Sequence, residues 1–118
     1  MPFGLVNAPA TFQAMMNTIL RDFLDHGVVV YLDDLLIYSK NEEERIALVK
    51  KVPAQLEAYD LAISTTKSVF NVKEVELLGY MVAVDGVTMS ERKVQNIKDW
   101  KQPRSVKEVL IFIGFRNF

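Results

Sequence analysis

Asp33 and Asp34 stand side by side within residues 28–39, VVVYLDDLLIYS, an otherwise almost unbroken apolar run. Adjacent carboxylates repel one another and resist removal from water. A hard divalent cation relieves both problems. Mg²⁺ takes oxygen ligands, keeps several waters, and is commonly held by one or two carboxylates plus substrate phosphates. A pair of such ions activates an attacking hydroxyl and stabilises a leaving oxygen in phosphoryl or nucleotidyl transfer. The plain alternative is a solvated turn, where aspartate is a frequent residue. Successive strand side chains alternate between faces, so one carboxylate is expected at the metal and the other set back. A two-metal site needs a further carboxylate, and no good candidate is evident. Asp22 and Asp25 fall at the end of a predicted helix, and Glu42, Glu43 and Glu44 read as helix-start charges.

The flanking pattern defines the elements that must hold this pair. Residues 28–31 and 35–39 are rich in β-branched and aromatic residues and predict two strands. Upstream, Asn7 and Pro9 predict a helix start. Phe12, Met15, Met16, Ile19, Leu20, Phe23 and Leu24 fit one helical face, ended by His26 and Gly27. Asn41 and Glu44 form a capping-box pattern before a helix carrying Ile46, Val49 and Leu56. Pro53 within it predicts a kink or an early break near Val52. Residues 61–63 fit a short strand. Residues 75–84 and 87–89 predict strands around Asp85-Gly86, a strong hairpin signal. Ser90 opens a helix with Val94, Ile97 and Trp100. Ser105 and Glu108 cap a last helix carrying Val109, Leu110, Ile113 and Phe118.

The chain has 118 residues, half of them hydrophobic and a quarter charged, which predicts one globular domain at most. The absence of cysteine excludes disulfide staples and thiolate zinc sites, and a single histidine, His26, excludes a multi-histidine centre within one chain. The start lacks signal-peptide character, and no apolar run is long enough to span a bilayer, so a soluble protein without a membrane partner is expected. Net charge is −1, but residues 1–60 carry 5 basic and 9 acidic side chains, and residues 61–118 carry 9 and 6. The basic second half suits phosphates as well as plain solvent.

These motifs together resemble the reverse transcriptase of gypsy-type LTR retrotransposons. The resemblance runs through MPFGLVNAPATFQ at 1–13, VVVYLDDLLIYS at 28–39 and the 67–70 segment. It continues through ELLGYMV at 76–82, DGV at 85–87, IKDW at 97–100 and the SVKEV–FIGFRNF ending. It implies that Asp33 and Asp34 are the catalytic, metal-binding pair, with Asp33 the stronger metal ligand and Tyr31 near the primer end. Pro2, Phe3 and Gly4 match the segment beside the incoming nucleotide, where a glycine permits close backbone approach. Asn7, Ala8 and Pro9 belong to the same motif and face the template. Leu78, Gly79 and Tyr80 match the primer-grip hairpin. Lys101, Arg104 and Lys107 lie where a thumb would meet phosphates. The implied cofactor is Mg²⁺, with Mn²⁺ as a substitute, and dNTP is the substrate.

The resemblance implies an α+β fold: a partial polymerase palm of antiparallel hairpins packed on helices over residues 1–89, with the start of a helical thumb over 90–118. It also implies that fingers and a first catalytic aspartate lie upstream. The expected function is therefore that of a fragment of an RNA- or DNA-templated DNA polymerase, inactive alone. The family's partner is an RNA/DNA primer–template, and self-association or pairing with the missing half follows from exposed strand edges. The family's setting is intracellular, in cytoplasmic virus-like particles or the nucleus. A non-catalytic remnant that binds nucleic acid or polymerase, or a degenerate reading frame without function, are the alternatives. Departures from the family pattern fit the degenerate reading frame but leave the catalytic aspartates untouched: Arg45 and Leu48 replace histidines, Pro53 enters a helix, Ser68 replaces a cysteine, and Ser64 lies near a usual lysine position.

Overall fold

The computed structural model describes residue 4 and residues 6–117. The class is α+β, with antiparallel hairpins and, among the described residues, four helices. The chain forms two compact units, residues 1–70 and 71–118.

The first unit contains α1 (Ala8–Ile19), the hairpin β1 (Val28–Tyr31) and β2 (Asp34–Ile37), and α2 (Glu42–Glu57). Asn7 stands before α1 without a side-chain cap bond, and Pro9 fills the first turn, where its missing N–H removes no helical bond. The helix ends earlier than expected. Instead of reaching His26 it stops at Ile19, and the chain closes in successive turns. Phe23 N donates to Leu20 O and His26 N to Phe23 O, while Asp25 and Gly27 take positive φ. The apolar spacing through Leu24 reflects packing of these turns, not helix. Asn41 caps α2 by accepting from Glu44 N at 2.8 Å. The break expected near Val52 does not occur, and α2 runs through Pro53. Buried Val52 and Leu56 flank the proline and anchor both sides of the lost backbone bond. Ile46 is exposed on this helix, and Leu48 packs on the core.

Leu20, Val28 and Val52 are almost completely buried, with Met16, Ile19 and Leu56 around them. Phe12, Phe23, Val30, Leu35, Ile37, Leu48 and Leu61 pack against this cluster. Residues 61–63 form no strand. Leu61 N is instead engaged by Leu56 O at the end of α2, after Asp60 takes φ +58, and its side chain joins the core.

The second unit is a meander, β3 (Glu74–Leu77), β4 (Tyr80–Ala83) and β5 (Gly86–Met89), followed by α3 (Glu91–Lys98) and α4 (Val106–Asn117). The 75–84 run is two strands, because Leu78 and Gly79 both take positive φ and reverse the chain. The next reversal uses Val84 and Asp85; Ala83 pairs with Gly86, one residue earlier than an Asp-Gly turn would place it. Ser90 caps α3 by accepting from Lys93 N. Ser105 accepts from Glu108 N, and Glu108 accepts from Arg104 N at 2.7 Å. Trp100 packs on Phe112 and Phe115, with ring centroids 5.6 and 5.0 Å away. The half-buried side of α4 is therefore Phe112 and Phe115, while Val109, Leu110 and Ile113 are exposed. Phe118 lies outside the described residues.

Candidate active site

β1 and β2 pair in register, Val28 with Ile37, Val29 with Leu36, Val30 with Leu35, and Tyr31 with Asp34. Val28, Val30, Leu35 and Ile37 belong to the core side of the hairpin. Alternation then places Tyr31 and Asp34 on the outer face with Val29 and Leu36. The reversal consists of Leu32 and Asp33. Asp33 is thus at the tip and Asp34 is the first residue of β2, so the two carboxylates leave the backbone from different positions at one end of the hairpin. Both are exposed. Among the described residues, neither side chain accepts a hydrogen bond or pairs with a cation.

The turn is strained where it meets the aspartates. Leu32 has φ +49, in a two-residue hairpin that places only this central residue at positive φ. That geometry favours glycine at the first central position. Non-glycine residues held at positive φ persist when surroundings over-determine them. Here the surroundings include Gln13 of α1. Leu32 N donates to Gln13 Oε1 at 2.6 Å, and Gln13 Nε2 donates to Val30 O at 3.2 Å. In the sequence Gln13 only closes the 1–13 motif, which gives it no role. No local signal marks it, because a polar residue beside Phe12 on an amphipathic helix is ordinary.

The other site residues distribute as follows. Tyr31 lies beside Asp34 across the hairpin and is exposed. Gly4 has φ +99 and open space around it. Pro2 and Phe3 lie outside the described residues. Asn7, Ala8 and Pro9 open the same helix that carries Gln13. Leu78, Gly79 and Tyr80 form the first reversal of the second unit. A Cβ on Gly79 would lie 3.3 Å from Lys93 Cδ, and Lys93 Nζ sits 4.6 Å from the Tyr80 ring centre and 3.4 Å from its hydroxyl. Lys93 is 6% exposed, so the cation supports this turn from beneath. Lys101, Arg104 and Lys107 are exposed. Among the described residues, no three His, Cys, Asp or Glu side chains gather closely enough to hold a metal ion. Among the described residues, no helix is long and apolar enough to cross a membrane.

A family model described as reverse transcriptase (RNA-dependent DNA polymerase) matches residues 1–82. This chain belongs to the reverse transcriptase family. Over all 118 residues it is 38% identical to the transposon Tf2-3 polyprotein of Schizosaccharomyces pombe, and 37% identical to the Tf2-7 polyprotein. It spans 9% of the length of these retrotransposon relatives. A foamy viral protease-reverse transcriptase dRH in complex with ds DNA superposes with a TM-score of 0.85 at 28% identity, covering 98% of this chain and 20% of that one. The foamy viral enzyme in complex with an RNA/DNA hybrid gives 0.78 at 27% identity, covering 99% of this chain and 16% of that one. The reverse transcriptase fold thus matches the palm and thumb region of these enzymes.

Proposed function

We propose that residues 1–118 contribute part of the polymerising centre of a gypsy-type retrotransposon reverse transcriptase, and that Asp33 and Asp34 bind its divalent cation. The observation that carries this is the pair of exposed carboxylates, free of cations among the described residues, at the end of a core-packed hairpin. That donor set fits Mg²⁺, or Mn²⁺ in its place: hard oxygens from two side chains, with room for water and substrate phosphate. When bound, the ions would activate a primer 3′-hydroxyl and neutralise charge on the α-phosphate of the incoming dNTP.

The chain's own residues supply the frame. Asp33 and Asp34 hold the cation from two backbone positions, with Asp33 at the tip the more direct ligand. Tyr31, on the outer face with Asp34, borders the primer end. Pro2, Phe3 and Gly4 border the nucleotide, and the open space at Gly4 suits close approach of a ligand to backbone. Asn7, Ala8 and Pro9 face the template strand, and the Leu78-Gly79-Tyr80 turn grips the primer. The foamy viral enzymes similar to this chain hold ds DNA and an RNA/DNA hybrid, which supports primer–template as the partner. Two carboxylates do not complete a two-metal centre, so the 118-residue chain by itself is expected to be inactive.

Primer extension tests both statements. The isolated chain should give no Mg²⁺-dependent extension; extension abolished by Asp33→Asn would overturn its inactivity. Grafted in place of the matching segment of the Tf2-3 polyprotein, residues 1–118 should support extension that Asp33→Asn reduces at least a thousandfold without weakening primer–template binding. A graft that extends equally well with Asp33→Asn would refute the metal role. Salt-sensitive binding without extension in any graft would identify a binding remnant.

A further inference from the structure

We infer that Gln13 is a positioning residue for the metal-binding turn, setting the direction of Asp33 and Asp34 through the backbone of Tyr31 and Leu32. The inference rests on the metal reading above.

The geometry is specific. β1 belongs to a two-stranded sheet, and among the described residues its other edge meets no strand, only an isolated parallel bridge from Leu24 to Val28. On that strand the carbonyl of Val30 and the N–H of Leu32 flank Tyr31, and both are taken by one side chain. Gln13 Nε2 donates to Val30 O at 3.2 Å, and Gln13 Oε1 accepts from Leu32 N at 2.6 Å. The N–H and C=O of one residue on a neighbouring parallel strand would bond in this pattern, to the residues on either side of their opposite. The amide therefore acts as a one-residue strand laid against Tyr31. Its own orientation is fixed, because Nε2 also donates to Asn17 Oδ1 at 2.9 Å, one helical turn along α1.

This clasp ends at the strained residue. Leu32 holds φ +49, and the next residue is Asp33. A small rotation about the Leu32 backbone would swing Asp33 relative to Asp34, whose strand is fixed by pairing with Tyr31. Fixing Leu32 N–H from α1 removes that freedom. The helix is in turn anchored by buried Met16, Ile19 and Leu20, so the turn is referenced to the core and not only to its own strands. Precise placement of ligating groups is what metal-assisted transfer requires of its supporting residues.

Gln55 offers a structural control. Its Nε2 donates to Ile19 O at 3.3 Å, joining α2 to the end of α1 in the same unit without touching the turn. The experiment uses the full 118-residue chain, labelled with ¹⁵N, and two readouts: hydrogen exchange of the Leu32 amide, and Mn²⁺-induced broadening of the Asp33, Asp34 and Leu35 amides. In the unsubstituted chain the broadening should be confined to the turn and vanish in Asp33→Asn. Gln13→Met keeps the side-chain length and loses both bonds. It should speed Leu32 exchange at least tenfold and require at least threefold more Mn²⁺ for equal broadening. Gln55→Met should match the unsubstituted chain in both readouts. Gln13→Glu keeps the acceptor for Leu32 N–H and should retain that amide's protection, which decides the matter if Gln13→Met does not fold. Unchanged exchange or unchanged Mn²⁺ demand in Gln13→Met, equal effects in Gln55→Met, or lost protection in Gln13→Glu would each overturn the inference. Absence of turn-localised broadening in the unsubstituted chain would instead refute the metal reading, and the positioning role with it.

Discussion

Gly27→Ala is expected to be among the most damaging single-atom additions to the first unit. Gly27 has φ +104 and begins the approach to β1, with its carbonyl accepting from Tyr38 N at 2.8 Å. A Cβ there would lie 2.5 Å from Leu48 Cδ1 and 2.8 Å from Tyr38 O. Two penalties combine. Placing an L side chain at positive φ costs about 1–2 kcal/mol. Overpacking a fitted site costs about 1–3 kcal/mol. The sum, about 2–5 kcal/mol, is a large share of the roughly 4–10 kcal/mol expected for a unit of this size at 0.05–0.15 kcal/mol per residue. The two contacts are not alike. Leu48 Cδ1 is the end of a flexible side chain and can turn away, whereas Tyr38 O is backbone and can move only if the hairpin opens at its base. Urea unfolding followed by circular dichroism should therefore show a lowered midpoint, and the Tyr38 amide should exchange faster than in the unsubstituted chain. Adding Leu48→Ala to Gly27→Ala should not restore stability, since it relieves only the softer clash. A loss below about 1 kcal/mol, or full rescue by Leu48→Ala, would show that the hairpin base does not have this geometry.

Leu20 is fully buried, so Leu20→Ala should cost about 2–5 kcal/mol in the same urea experiment; a smaller loss would mean that α1 does not seat on the core. Pro53→Ala restores a backbone donor inside α2 and should raise stability by about 1–2 kcal/mol, the roughly 3 kcal/mol helix penalty less accommodation already made by its surroundings and the proline's effect on the unfolded chain. Gly79→Ala should cost about 1–2 kcal/mol from its φ of +80, with little more from Lys93, whose Cδ at 3.3 Å can shift; thermal melts monitored at Trp100 would reveal a larger effect.

The carboxylate pair, its hairpin and the helix caps were legible because each depends on local chemistry. Asn41, Ser90 and Ser105 accept the backbone bonds that their positions imply. The misreadings share another cause. Apolar spacing past Ile19 resembles helix whether the residues wind on or turn back, and only the positive φ at Asp25 and Gly27 distinguishes the two. Pro53 resembled a helix breaker because propensity omits the buried neighbours on either side. The reversal at Leu78 was hidden inside an apolar run, though the reverse transcriptase resemblance marked it as a hairpin. Gln13 was invisible for a different reason: its partners are 17 and 19 residues away, and glutamine carries no local signature for accepting a strand edge.

Leu32 allows a test in which backbone geometry and strand propensity give opposite answers. Judged by propensity, Leu32→Ile should be harmless or helpful in a hairpin, because β-branched residues favour strands. Judged by the structure, φ +49 is tolerated poorly by leucine and worse by a branched Cβ. Isoleucine conserves volume, so packing of the half-buried side chain changes little. Leu32→Ile should then lose about 1 kcal/mol, of the order assigned to sparsely populated backbone conformations. Leu32→Gly relieves that strain but forfeits side-chain contacts and adds chain entropy, leaving stability within about 1 kcal/mol of the original. The expected order in urea is glycine close to leucine and isoleucine below both. If isoleucine equals or exceeds leucine, Leu32 is not held at positive φ, and the turn presents Asp33 and Asp34 in a geometry that α1 does not control.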